Sequence, residues 1–218
     1  MLTPKSVLLS TAYLAPIAYY IQLLYFKDVY IEHEEHFLKQ SFRNRCQIPG
    51  PNGILSLSVP VVRKSKDKTK IGDIKISYAE DWQAQHWKSI CASYESSPFF
   101  EYYKDDLYHF YKTPQFDLLI DFNTALQEHI AKELGLKLPF QFTQEYHQHI
   151  ENTVDLRQEI HPKKAQYSAE FQSRYIQVFD TKFGFQSGMS IIDLLFNEGP
   201  NAENYLQKTM NKQYACHP

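Results

Sequence analysis

The stretch from Ser6 to Phe26 contains no charged residue and directly follows Lys5, and no other feature narrows the options for this chain as much. Such a run can be a membrane span, a signal peptide or a segment of buried core. A spanning helix needs about 20 predominantly apolar residues, whereas this stretch holds Ser10, Thr11, Pro16, Gln22 and the tyrosines Tyr13, Tyr19, Tyr20 and Tyr25. No small-residue cleavage pattern follows it, as a signal peptide requires. It therefore reads as buried structure: a strand at Val7 to Leu9, a loop from Ser10 to Ala15, and a helix from Pro16 to Tyr25, proline being suited to a first helical turn. Strand, loop and helix in that order predict an α/β protein with no membrane span, located in the cytoplasm.

At 218 residues and 43% hydrophobic content the chain can bury a sizeable core without disulfides or metal, so one domain is expected over residues 1–218. Aromatic residues make up 15%, sixteen of them Tyr; rings with one dry and one polar edge suit a lined cleft or an interface, and equally the rim of a core. A net charge of −2 with a pI near 6.5 leaves no overall positive field, which argues against nucleic acid. Cys46, Cys91 and Cys216 form no C-x-x-C pair, which fits a reducing compartment.

The elements can be read in turn. A second strand is expected at Val29 to Ile31. Phe42 to Ile48 and Ile54 to Val62 flank the turn signal Pro49-Gly50-Pro51-Asn52-Gly53 and predict a hairpin. Arg63 to Lys70 is a basic run read as an exposed loop, and Ile71, Ile74 and Ile76 suggest a strand. Ser77 and Glu80 have capping-box spacing before Trp82, His86, Ile90 and Tyr94, which recur every four residues and share one helix face. Further helices are expected at Glu101 to Tyr111, at Thr124 to Leu134 capped by Asn123 and closed by Gly135, at Ser190 to Gly199, and from Pro200-Asn201. Leu138 to Thr143 and Tyr175 to Phe179 read as strands, and Glu151 to Glu170 as irregular. The fold class is mixed α/β: a short central sheet with an amino-terminal strand-loop-helix, a β-hairpin and several packed helices.

No glycine-rich dinucleotide loop, Walker loop, G-x-S-x-G, H-E-x-x-H or paired C-x-x-C occurs, so the common cofactor and hydrolase motifs are missing, and no cofactor is expected. The densest polar cluster is His33-Glu34-Glu35-His36 with Lys39, Arg43, Asn44 and Arg45. The His-x-x-His pair lacks further ligands at a recognised spacing, so no metal is assigned. In a strand, Arg43 and Arg45 would share one face and form a bidentate clamp for phosphate or carboxylate; a pair of exposed, salt-bridged arginines fits the same spacing. As cleft residues they would contribute little to the core. Trp82, His86 and Tyr94 could line a pocket with His86 as acid or base, or form core around a satisfied histidine. His161-Pro162-Lys163-Lys164 and His217 have no evident partner and read as structural.

Three ordered blocks resemble the WbqC-like family of bacterial proteins over most of the chain. Tyr13-Leu14-Ala15-Pro16 followed by Tyr19-Tyr20 is similar to that family's Q-P-x-Y-x-P-x-x-x-Y-F block, with Ser10-Thr11 in place of its Gln-Pro. The second block is Lys39 to Arg45, with Leu57-Ser58-Val59-Pro60 and the series Trp82, His86, Tyr94, Pro98-Phe99-Phe100; the third is Tyr175 to Phe179 and Ser190 to Pro200. The resemblance implies a setting in O-antigen and other surface-polysaccharide synthesis. The expected function is group transfer on an activated sugar or similar anionic metabolite, the alternative being a non-catalytic binding or scaffold protein of the same pathway. Arg43 and Arg45 would hold the phosphate, with Lys39 adding charge, Asn44, Tyr13, Trp82 and Tyr94 lining the site, and His86 as acid or base. The start of the first helix would add free backbone N–H groups at a strand end. Expected partners are a small anionic metabolite or nucleotide sugar, with a homo-oligomer or a pathway protein as further options.

Overall fold

The structure is a computed structural model that describes residues 5–62, 68–148, 150–164 and 171–215. Most of the basic run, Arg63 to Asp67, lies outside the described residues, as do Cys216 and His217. The protein is mixed α/β. β1 (Ser6–Ser10), β2 (Asp28–Glu32), β5 (Gln141–Phe142) and β6 (Thr153–Asp155) form a sheet in the order β5-β2-β1-β6, with each neighbouring pair parallel. β1 is central, and Val7, Leu8 and Leu9 are buried on both faces, as a parallel strand requires. β3 (Arg45–Gly50) and β4 (Gly53–Ser58) form the antiparallel hairpin expected from the Pro-Gly-rich turn.

The lack of charge from Ser6 to Phe26 follows from burial. α1 (Ile17–Tyr25) connects β1 to β2 and is buried from Ile17 to Leu23, because it packs against α6 (Ile191–Glu198) and α7 (Ala202–Ala215). Its polar side chains are satisfied there: the Tyr214 hydroxyl donates to Gln22 Oε1, and the Tyr25 and Tyr214 rings stack 3.4 Å apart. Among the described residues no helix is long and apolar enough to cross a membrane.

α2 (Trp82–Tyr94) and α3 (Phe100–Lys112) pack together, and α4 (Leu119–Glu133) ends at Gly135, whose φ of +70° closes the helix. Several expectations are corrected. The cap of α2 is Asp81, which accepts from Ala84 N at 3.3 Å, in place of the Ser77–Glu80 box. Ile71–Asp73 is a 3-10 turn, because Ile71 and Ile74 are three positions apart and Ile74 N bonds back to the Ile71 carbonyl, and Ile76 makes an isolated bridge to Val61. Asn123 lies inside α4, since Leu119, Ile120 and Phe122 extend the buried stripe upstream of it; its amide donates to Thr11 Oγ1 at 3.1 Å and to the Arg43 carbonyl at 2.8 Å.

β6 falls in the stretch expected to be irregular; three residues carry too little pattern to be legible, and only pairing with β1 makes them a strand. Tyr175 to Phe179 is the converse case, because its burial alternates (Tyr175 and Gln177 inside, Ile176 81% exposed) without a partner strand. The inward pair is held by a side chain: Tyr175 and Gln177 donate to the buried Asp193 carboxylate of α6, Gln177 at 2.7 Å. Asp193 thus faces the core and does not complete a capping box with Ser190, whose hydroxyl accepts from Ile192 N at 3.5 Å.

Candidate functional site

The residues expected to form one site are divided among three places. Tyr13 and His86 meet in the core: His86 Nδ1 lies 2.9 Å from the Tyr13 hydroxyl, which lies 2.6 Å from that of Tyr111. Trp82 packs edge-on against His86 at 5.0 Å, and Tyr94 is fully buried against Phe196, beside Asp193. Arg43 and Arg45 do not share a strand face, because β3 begins at Arg45 and Arg43 lies in the turn before it. Arg45 Nε bonds across the hairpin to Ser58 Oγ at 3.0 Å, the Asn44 amide donates to the Val59 carbonyl at 2.8 Å, and Lys39 is exposed.

His86 is 6% exposed, and burial holds its pKa down at about 4, so it is neutral at pH 7. Asp193 is shifted oppositely, with burial raising it to about 6 against the bonds from Tyr175 and Gln177. Between pH 4 and 6 these groups oppose each other. Unfolding lets His86 take up a proton, so its contribution falls as pH drops below 6.5; Asp193 holds its proton more tightly when folded, so its contribution grows as pH drops below 6. Each contribution is at most about 3 kcal/mol. Asp193→Asn is therefore expected to lose more stability than wild type between pH 6.5 and 4.5 in urea unfolding. Parallel curves for the two proteins would show that Asp193 is already ionised in the fold.

At the carboxyl ends of the strands a different set of residues converges. The chain passes from β1 to β2 to β5 toward one edge of the sheet, while β6 lies on the other side of β1, so the strand order reverses between β1 and β6. In open parallel sheets ligands bind at that reversal. A narrow pocket lies there, lined by Ser10 and Thr11 after β1, Tyr19 of α1, Arg43, and Leu156 and Arg157 after β6. Its free space of about 10 Å³ holds roughly one water. A second hollow, sharing Phe42 and Ile160 with the first, adds His161 and Lys164.

Buried ion pairs shape this crevice. Arg43 is 2% exposed and forms a two-pronged bridge to Glu35, Nε to Oε1 at 2.7 Å and Nη2 to Oε2 at 2.5 Å. Arg157 binds Glu32 at 2.8 Å and Asp155 at 2.6 Å, and Glu32 also accepts from Thr143 Oγ1 at 2.6 Å. The carboxylates stand behind the arginines: the charged side chains lining the two hollows are Arg43, Arg157 and Lys164, beside the titratable His161. His161 Nδ1 accepts from the Lys163 backbone N–H at 3.1 Å. Burial lowers its pKa first, and Arg43, Lys163 and Lys164 lower it further, as a positive local field would.

Two of the first-helix N–H groups expected to bind an anion are already engaged. Pro16 has none, Ile17 N donates to the Met189 carbonyl at 3.1 Å, and Tyr19 N turns back to the Pro16 carbonyl at 2.9 Å. His33 pairs with Glu34 at 2.8 Å while Glu35 faces Arg43, and among the described residues no group of three or more His, Cys, Asp and Glu is placed to hold a metal. Sequence reasoning missed Glu32 and Arg157, and read His161 and Lys164 as structural. No local spacing marks the missed pair, because strand pairing alone brings Arg157 to Glu32 across the β1 position.

These features define a mixed α/β protein with a crevice lined by arginine and lysine at the carboxyl ends of its parallel strands. The chain belongs to the WbqC-like protein family, whose model matches residues 12–205. It is also similar to the uncharacterised protein Rv1507c of Mycobacterium tuberculosis, 26% identical over 212 residues that cover 86% of this chain and 91% of the relative. No solved structure matches the chain. The three blocks of the family resemblance meet around the β1–α1 loop: Tyr13 N bonds the Phe42 carbonyl at 2.9 Å, Tyr13 OH meets His86, and the Ser190 hydroxyl donates to the Leu14 carbonyl at 2.7 Å.

Proposed function

We propose that the protein is a cytoplasmic group-transfer enzyme of surface-polysaccharide synthesis that takes the anionic end of an activated sugar or similar metabolite at the β1–β6 crevice. The observation that carries this reading is the convergence of Arg43, Arg157, Lys164 and His161 on hollows into which no carboxylate projects, at the strand-order reversal. With Nδ1 accepting from the Lys163 backbone N–H, a neutral His161 ring carries its proton on Nε2 and offers that N–H as a donor to an anionic group. Lys164 is tied to Glu159 at 2.8 Å, and the arginines to Glu35, Glu32 and Asp155, so the crevice offers an anion cationic N–H donors and not a net positive charge. Arg43 and Arg45 as a joint clamp, and His86 as acid or base, have less support, since Arg43 is committed to Glu35 and His86 to the core.

The small free volume of the inner pocket favours a second reading, a non-catalytic binding or scaffold protein of the same pathway, because space for roughly one water admits no phosphate unless the crevice widens. Turnover of a bound ligand separates the two, and a titration tests the binding that both require. Nucleotide sugars and sugar phosphates are expected to raise the unfolding midpoint in a saturable way, by about 2.7 kcal/mol at a hundredfold excess over Kd. Lys164→Ala and His161→Ala should each weaken the effect. Failure of every such ligand to shift the midpoint would remove the enzyme reading.

A further inference from the structure

A separate groove of about 490 Å³ lies between the start of α2 and the end of α3. Its lining includes the rings of Tyr78, Trp87, Tyr108 and Tyr111. Trp87 and Tyr108 lie 4.8 Å apart at 38°, and Trp87 is nearly parallel to Tyr111 at 6.0 Å and 29°. Both flanking phenols are anchored, Tyr111 by the Tyr13 hydroxyl at 2.6 Å and Tyr78 by the Phe116 carbonyl at 2.8 Å, so this surface is ordered before any ligand arrives. Tyr108 is 39% exposed, so its ring remains open to solvent.

The rim differs in character from the crevice at the strand ends. Glu80 and Asp81 face Lys88 and Lys112 around the same groove, so the formal charges cancel and no net field draws in phosphate. Carboxylates accept and ammonium groups donate hydrogen bonds, which suits a ligand with hydroxyls of both roles at its edge. The aromatic lining suits a ligand with a flat face of C–H bonds. The pyranose ring of a neutral saccharide has that combination; a nucleoside phosphate or an acidic peptide does not. We propose that this groove is a binding site for a neutral saccharide, held against the exposed Tyr108 ring that Trp87 backs. Its assignment as the acceptor side of the transfer rests on the group-transfer reading above; saccharide binding itself does not.

The chain has two tryptophans, Trp82 and Trp87, and Trp82 is buried at 3% exposure, so Trp87 reports on the groove. The full chain would be titrated with neutral tri- and tetrasaccharides of glucose, galactose, mannose and N-acetylglucosamine, following tryptophan emission and, for the variants, saturation-transfer NMR. Saturable binding of at least one saccharide is expected, weakened about tenfold or more by Tyr108→Ala and by Trp87→Ala. Tyr102→Ala, which removes a 75% exposed tyrosine outside the groove, should leave it unchanged. Tyr108→Ala keeps the test informative if Trp87→Ala does not fold. The proposal is overturned if no saccharide saturates, if Tyr108→Ala and Tyr102→Ala bind alike, or if the saccharide competes with a sugar phosphate. Loss of phosphate binding with saccharide binding intact would count against the crevice alone.

Discussion

Arg43→Ala is expected to lower the free energy of unfolding by about 3–5 kcal/mol, the cost of leaving one member of a buried ion pair alone. Read from the sequence, Arg43 is a cleft residue whose removal spares the fold. The structure reverses that expectation, because Arg43 is 2% exposed, Glu35 is 5% exposed, and both oxygens of the Glu35 carboxylate are taken by the guanidinium. The Arg43 carbonyl also receives the Asn123 amide at 2.8 Å, so the turn joins α4 to the sheet. Replacing both partners by apolar residues, Glu35→Leu with Arg43→Met, should recover much of the loss, since no charge is then stranded. Urea unfolding of the single and double variants measures it. A single variant as stable as wild type would mean that the pair is open to water in solution.

A comparable loss, about 3–5 kcal/mol, is expected for Gly199→Ala from two separate causes. Gly199 ends α6 at φ +50° and ψ −124°, a conformation that costs an L-residue strain. A Cβ built there would stand 2.5 Å from the Phe99 ring, closer than any real contact, and Phe99 N is bonded to the Phe196 carbonyl at 3.0 Å. The contact is to the near side of the ring, so relief requires the whole Phe99 side chain to move. Pairing the change with Phe99→Ala tests the division, since it relieves the clash and leaves the backbone strain. If the double variant is no more stable than the sum of the two single changes, the clash contributes nothing.

Elements with strong local signals were legible. The Trp82–Tyr94 helix follows from its four-residue spacing, the hairpin from Pro51-Asn52-Gly53, and the burial of residues 6–26 from their lack of charge interrupted by tyrosines and Pro16. Misreadings arose where one local pattern serves two environments. An asparagine before an apolar stripe caps a helix or, as Asn123 does, lies inside one and bonds a neighbouring loop. Alternating burial at Tyr175 to Gln177 arises from a ladder or, as here, from a single buried carboxylate.

By itself the sequence determined the mixed α/β class, the positions of most helices and the first two strands, because these depend on periodicity, turn residues and hydrophobicity within a few residues of chain. Only the tertiary structure decided which charges meet. Glu32 and Arg157 are 125 positions apart, and β6 is a strand solely because β1 pairs with it. The crevice exists because that pairing sets Arg157 beside Ser10 and Arg43 at the end of the sheet, and strand order is a property of long-range hydrogen bonding that no local spacing encodes.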